Sequence, residues 1–332
     1  MRFGDLARRP ESVTLILTLA AVVLASLISP YFLVPENLAR GASSYVEVGL
    51  MALGLTFVII SGHIDLSVAS ILALSGTALG KCLQAGLPVA VALLAAAATG
   101  LLCGFINGFV VTRTGMPSLI VTLGTFALFG GIAQGLVGYT SIGDFPDSFV
   151  GWDGLSVGGW PVPVVALIVA ALILGFVLHA TTIGRRVYLV GLNRESGRYA
   201  GIDIRRVELF VFCLSGLLSG FAAIFLVSRS GVVVYNLASG YELTAITVVV
   251  VGGASIYGGS GSIFGTVIAL VLIATLQRGM SLASISAPMQ LIVIGTLLIG
   301  AIAVTTIAKR IGAWRRTRSK TIRPMIDGSI AR

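Results

Sequence analysis

The chain has 332 residues, 56% of them hydrophobic and only 11% charged, with 42 glycines and a formal net charge of +9. Soluble globular proteins carry roughly 25% charged residues, so the composition excludes an ordinary soluble domain, a disordered chain, a disulfide scaffold and a collagen-like fibre. It fits a polytopic helical membrane protein, where glycine is frequent.

The first thirty residues carry Arg8 and Arg9 ahead of an apolar stretch from Val13 to Ile28. That stretch is long for a secretory leader and lacks a clean A-x-A site, so an uncleaved first span is expected. A helix needs ~20 apolar residues to cross ~30 Å of hydrocarbon. The Pro, Gly and charge clusters divide the chain into ten such runs, at 12–29, 44–61, 64–83, 87–112, 117–138, 162–179, 207–228, 243–257, 262–279 and 288–308. The runs 243–257 and 262–279 are short and separated by glycines, which leaves a broken or re-entrant helix open there.

Ten spans that start from an inside N-terminus place 18 of the 22 basic residues inside and leave Arg40, Lys81, Arg229 and Arg278 outside. Six of the inside cations lie between Arg185 and Arg206 and eight between Lys309 and Arg332. The outside loop 139–161 has Asp144, Asp147 and Asp153 and no Lys or Arg. Clustering of this kind beside apolar runs is the positive-inside pattern, and it accounts for the basic charge without nucleic acid. The expected fold class is an all-α integral membrane protein, a polytopic helical bundle of about ten transmembrane helices with cytoplasmic N- and C-termini. Residues 1–332 form one transmembrane domain, with about 12–308 embedded, a cytoplasmic loop over 180–206 and a basic cytoplasmic tail over 309–332. Cys82, Cys103 and Cys213 each sit within or at the end of an apolar stretch and read as small buried hydrophobes.

Two segments interrupt the apolar pattern with polar groups. Ser61-Gly62-His63-Ile64-Asp65-Leu66-Ser67 puts an imidazole, a carboxylate and two hydroxyls at the junction of the second and third runs. The stretch from Gly252 to Ser262 contains five glycines. Broken apolar segments of this kind point to a solute pathway, and they equally suit turns and close helix packing. The candidates for the pathway or its support are His63, Asp65, Ser67, Asn107, Gly252, Gly253, Gly258 and Gly259. An ion at the bilayer centre costs at least ~3 kcal/mol, so Glu47, Asp65 and Glu242, each near a run end, are expected to anchor or cap rather than face lipid. Asn107, Gln134 and Gln277 are placed to bond between helices or to touch a solute.

No G-x-x-x-x-G-K-[ST] phosphate loop or H-E-x-x-H helix occurs, which argues against an ATPase or a metal centre. In the basic loop, Asn193 is suited to cap a short helix from Arg194 to Ala200, with Glu195 in its first turn and Gly201 as terminator. Such a helix, comprising Arg194, Glu195, Ser196, Gly197, Arg198, Tyr199 and Ala200 and closed by Gly201, suits either protein docking or a lipid-headgroup anchor.

Four spaced stretches resemble the inner-membrane permease subunits of bacterial ABC importers for ribose, other monosaccharides and sugar-like signals. Residues 62–70, Gly-His-Ile-Asp-Leu-Ser-Val-Ala-Ser, are similar to that family's G-G-I-D-L-S-V-G-S. Asn107-Gly108 followed by Pro117 to Thr125 resembles its N-G and P-x-x-I-x-T-L-G-T elements. Gly184-Arg185 with Gly191, Asn193 and Ala200-Gly201-Ile202 resembles its inside loop, and Gly240-Tyr241-Glu242-Leu243 through Gly252-Gly253 to Gly265-Thr266 its last motif. The resemblance runs from about Tyr45 to Thr306. It implies a permease without chemistry of its own that binds no cofactor. A cytoplasmic ABC ATPase holding ATP and Mg docks on 194–201 as a coupling helix, a second permease completes a homo- or heterodimer, and a periplasmic solute-binding protein delivers the solute. The implied solute is a monosaccharide or sugar-like molecule of the rhamnose, ribose or furanosyl autoinducer type. Other readings are an ABC permease for amino acids or nucleosides, an ion-coupled secondary transporter using an acid such as Glu47, and a membrane enzyme. His63 and Ala69 stand where that family usually has glycine, and Ser196 and Gly197 where it has alanine. Val233-Val234-Tyr235-Asn236 lacks the Arg-Pro-Asp common before Gly240.

Overall fold

The computed structural model describes residues 10–28 and 31–303. The basic tail 309–332 and the end of the last run lie outside the described residues. Each of the ten apolar runs carries a helix. The helices are α1 (Pro10–Ile28), α2 (Pro35–Ser43), α3 (Val46–Ile60), α4 (Val68–Gln84), α5 (Val89–Thr114), α6 (Ser118–Val137) and α7 (Val162–Ala180). Two short helices follow, α8 (Thr182–Leu192) and α9 (Arg194–Tyr199), then α10 (Ile204–Ser230), α11 (Tyr241–Val251), α12 (Ile263–Leu282) and α13 (Ala287–Ala303). A two-residue hairpin, β1 (Ser156–Val157) with β2 (Trp160–Pro161), lies in the loop before α7.

Among the described residues, five helices are long and apolar enough to cross a bilayer alone: α5, α6, α7, α10 and α12. Helices α2 and α3 pass only as a pair bent by 50°, and four further apolar helices are shorter, at Ser12–Leu27, Val68–Gln84, Tyr241–Val251 and Ala287–Ala303. At 1.5 Å per residue, the 11 residues of α11 reach about half of the hydrocarbon thickness, so the run 243–257 is not one regular span. Its helix stops at Val251 and a glycine-rich turn over 252–262 follows. A backbone break is therefore present in this region, and a second one, the bend between Ser43 and Val46, lies at the very start of the run 44–61, where the more polar helix α2 precedes it.

Helix termini follow local chemistry. Pro88, Pro117 and Pro161 precede α5, α6 and α7, where the missing N–H costs nothing. Gly115 and Gly231 end α5 and α10 at φ +70° and +66°, a left-handed conformation suited to glycine.

Helix α10 is the packing centre, lying against α3, α4 and α5. Its contact with α5 joins small-residue ridges of G-x-x-x-G spacing on both helices, Gly100-Gly104-Gly108 on α5 and Gly216-Gly220 on α10. A Cβ at Gly216 would lie 2.7 Å from Gly104 Cα, and one at Gly220 would lie 2.8 Å from the Ala96 carbonyl oxygen. The backbones touch, which is how helices associate where lipid removes the hydrophobic drive.

The bundle has two distinct ends. At one, the turn 61–67, the glycine turn 252–262, α8, α9 and the start of α10 converge among the loop arginines. At the other, the acidic loop 139–161 meets the segment after α10 through the Ile142–Val233 bridge and through Gly151 N–H donating to the Ser228 carbonyl at 2.8 Å.

Candidate functional site

The turn at 61–67 is held by side chains from three helices, α5, α6 and α10. Ile64 N–H donates to Ser118 Oγ at 3.1 Å, and Thr122 Oγ1 donates to the Ile64 carbonyl at 3.2 Å, both from α6. Asp65 Oδ1 accepts from Ser67 N–H at 2.9 Å and from Ser67 Oγ at 2.6 Å, while its Oδ2 accepts from Ser215 Oγ of α10 at 3.3 Å. Asn107 of α5 donates to Ser67 Oγ at 2.7 Å. Asp65, Ser67 and Asn107 have 0% exposure. The three candidates thus form one buried hydrogen-bond cluster at the start of α4, satisfying polar groups that would otherwise cost about 1–3 kcal/mol each.

His63 lies 8% exposed at the edge of this cluster and packs its ring on Phe212 at 5.6 Å between centroids. Its Nε2 is 3.1 Å from Glu208 Oε1, and the same oxygen lies 2.6 Å from Arg194 Nη2. Glu208 is buried in the first turns of α10.

The four glycines Gly252, Gly253, Gly258 and Gly259 belong to the turn that closes on this region. Gly259 N–H donates to the Ile60 carbonyl at 2.8 Å, and Tyr188 Oη donates to the Gly261 carbonyl at 2.6 Å. Gly258, at φ +83°, sits where a Cβ would lie 2.9 Å from Gly62 Cα. Close backbone approach, rather than open space, is what these positions require. Gly253 has φ +94° in the same turn.

Open space lies next to the cluster, not within it. A cavity of about 230 Å³ is bounded by Ala69, Ser70 and Ala73 of α4, Phe126 to Gln134 of α6, and Tyr235 to Ser239 of the segment before α11. Its lining includes hydroxyls, two side-chain amides and two aromatic rings and, among the described residues, no charged side chain. Gln134 therefore faces a cavity, whereas Asn107 does not.

Helix α9 forms as Asn193 dictates. Asn193 Oδ1 accepts from Ser196 N–H at 3.0 Å, and Gly201 closes the turn at φ +74°. Glu195, Arg198 and Tyr199 are exposed, Tyr199 at 91%.

Two carboxylates take other roles. Glu47 is 1% exposed and pairs with Arg229 of α10 at 3.0 Å. Glu242 accepts from Gly240 N–H at 3.1 Å, a cap at the start of α11. Sequence reasoning missed Glu208 and Arg229. Glu208 is the one acid in the run 207–228, a signal masked by Arg205 and Arg206 beside it.

The chain matches the model of the family described as branched-chain amino acid transport system / permease component over residues 37–302. It is 37% identical over 312 residues to the autoinducer 2 import system permease protein LsrD of Photorhabdus temperata, covering 91% of this chain and 94% of that one. Similarity to the protein of the same name from Photorhabdus luminescens is 39% over 277 residues, 82% and 83% of the two chains. For that of Escherichia coli (strain K12) it is 38% over 284 residues, 84% and 86%. No solved structure matches the chain.

Proposed function

The chain belongs to the branched-chain amino acid transport system / permease component family, as a permease subunit of an ATP-binding-cassette importer, and we propose that it carries a small, neutral, polyhydroxylated solute of the autoinducer 2 kind. It is a multi-pass protein of the bacterial inner membrane and a transporter component, not an enzyme. The apolar helices lie in the membrane with the arginine-rich end in the cytoplasm, in keeping with the positive-inside rule. Helix α9 docks on a cytoplasmic ATPase that binds ATP and Mg. A second permease subunit completes the pathway, and a periplasmic binding protein delivers the solute to the acidic end. ATP binding and hydrolysis on the partner switch the permease pair between outward and inward states, a rigid-body alternation around the solute site.

The observation that carries the choice of solute is the lining of the 230 Å³ cavity. Ser70, Gln134, Asn236 and Ser239 supply neutral donors and acceptors, and Phe126 and Tyr235 supply apolar faces. An amino acid would bring an ammonium and a carboxylate into a site with no counter-charge, at the desolvation cost that unpaired buried ions incur. A neutral polyol meets no such cost. The volume is below the ~300–1,000 Å³ usual for drug-sized ligands, which suits a solute of few heavy atoms. His63, Asp65, Ser67 and Asn107 support this site from beneath, and the glycines of 252–262 shape the turn beside it. Competition between labelled autoinducer 2 and leucine for ATP-driven uptake by the reconstituted importer tests the reading. Uptake of autoinducer 2 unaffected by excess leucine is expected, and preferential leucine uptake would refute it.

A further inference from the structure

Glu208 is a carboxylate with 1% side-chain exposure that is shared between two separate parts of the chain. Arg194, the first residue of α9, reaches it from a side chain that is 59% exposed, and His63 of the buried turn reaches the same oxygen from the other side. Seven residues along α10, about two helical turns and hence on the same face, Ser215 donates to Asp65. One face of α10 therefore grips the 61–67 turn at two points, at His63 through Glu208 and at Asp65 through Ser215. The first of these points is also tied to α9.

We propose that Glu208 is a positioning residue that transmits displacement of α9 to the 61–67 turn. The inference rests on α9 being the ATPase-docking helix. Separating a buried carboxylate from its partner is strongly unfavourable, so Arg194 and Glu208 move together when α9 is pushed, and the first turns of α10 move with them. Because His63 and Asp65 are held on that same face of α10, the shift reaches the floor of the neutral cavity, whose nearest members, Ala69 and Ser70, follow the turn directly in sequence. The imidazole at 63 supplies the reach from the turn to Glu208.

The test uses the full importer in liposomes, with the second permease, the ATPase, the binding protein and labelled autoinducer 2 as the probe, reading ATPase co-purification and solute imported per ATP hydrolysed. Glu208→Gln is expected to keep the ATPase bound while the ratio falls about tenfold, within the range that coupling residues reach. Arg194→Gln should lower the ratio similarly, the double variant should be no worse than either single one, and Arg194→Lys should recover much of the loss. If Glu208→Gln does not insert, Arg194→Gln and Arg194→Lys, both at an exposed side chain, carry the test alone. An unchanged ratio in Arg194→Gln, additive losses in the double variant, or release of the ATPase by Glu208→Gln would overturn the proposal. An unsubstituted importer that binds no ATPase would instead overturn the docking reading beneath it, before any variant is compared.

Discussion

Asn107 and Asp65 do not touch, yet they are bound to the same hydroxyl. Ser67 Oγ accepts from Asn107 at 2.7 Å and donates to Asp65 at 2.6 Å, so a single serine at the head of α4 joins α5 to the turn that α10 holds from the other side.

Replacing Asp65 with alanine removes the acceptor of three donors, the Ser67 N–H, the Ser67 hydroxyl and the Ser215 hydroxyl. Stability should drop by about 1–3 kcal/mol, with the protein still inserted and uptake reduced. Asp65→Asn keeps the Oδ1 acceptor and should retain most uptake. Transport assays on both variants, beside their yield in the membrane, check the ordering; equal uptake by Asp65→Ala and the unsubstituted protein would remove Asp65 from the site's support.

The contact between α5 and α10 leaves no room for side chains at Gly216. Gly216→Val should cost about 3 kcal/mol, because the displaced neighbour is the Gly104 backbone and not a flexible side chain. Gly124→Ala on α6, where nothing lies within 4 Å of the added carbon, should change stability by about 0.5 kcal/mol or less. Thermal unfolding in mild detergent separates the two.

Glu47 and Arg229 form a pair whose carboxylate is 1% exposed and whose guanidinium is 27% exposed. Arg229→Ala should destabilise by about 3–5 kcal/mol, since it strands a buried charge, and adding Glu47→Gln to it should recover part of the loss. A double-mutant cycle on unfolding midpoints measures the coupling, and additive effects would show that the pair does not interact.

Gly197 sits inside the six-residue helix α9 with open space where a Cβ would go. Gly197→Ala should stabilise that helix by about 1 kcal/mol, slowing amide hydrogen exchange over 194–199 several-fold. Unchanged exchange would mean that α9 is held by its cap and its contact with Glu208 rather than by propensity.

Much of the architecture is legible in the residue order, since each of the ten apolar runs carries a helix and Asn193 caps α9 as its chemistry requires. What pairs with what is not legible. Helices such as α6 and α7 are apolar on every side, so their sequences do not show which face turns inward. The cavity beside Gln134 was hidden for that reason, as were its partners Tyr235 and Asn236 in a segment read as a loop. Glu47 stands near a run end, and its partner Arg229, 182 positions away, leaves no mark on the local sequence. Glu208 stands inside the run 207–228, and its burial by a turn 145 positions earlier leaves no local mark.

The central claim is that this permease moves solute only with energy delivered by an ATPase at its arginine-rich end. The most direct measurement is uptake of labelled autoinducer 2 into liposomes holding the permease pair and the binding protein, with and without the ATPase and internal or external ATP as orientation requires. Uptake that appears only with the ATPase and hydrolysable ATP is the predicted result. Accumulation by the permease alone under an ion gradient, with no ATPase present, would contradict it.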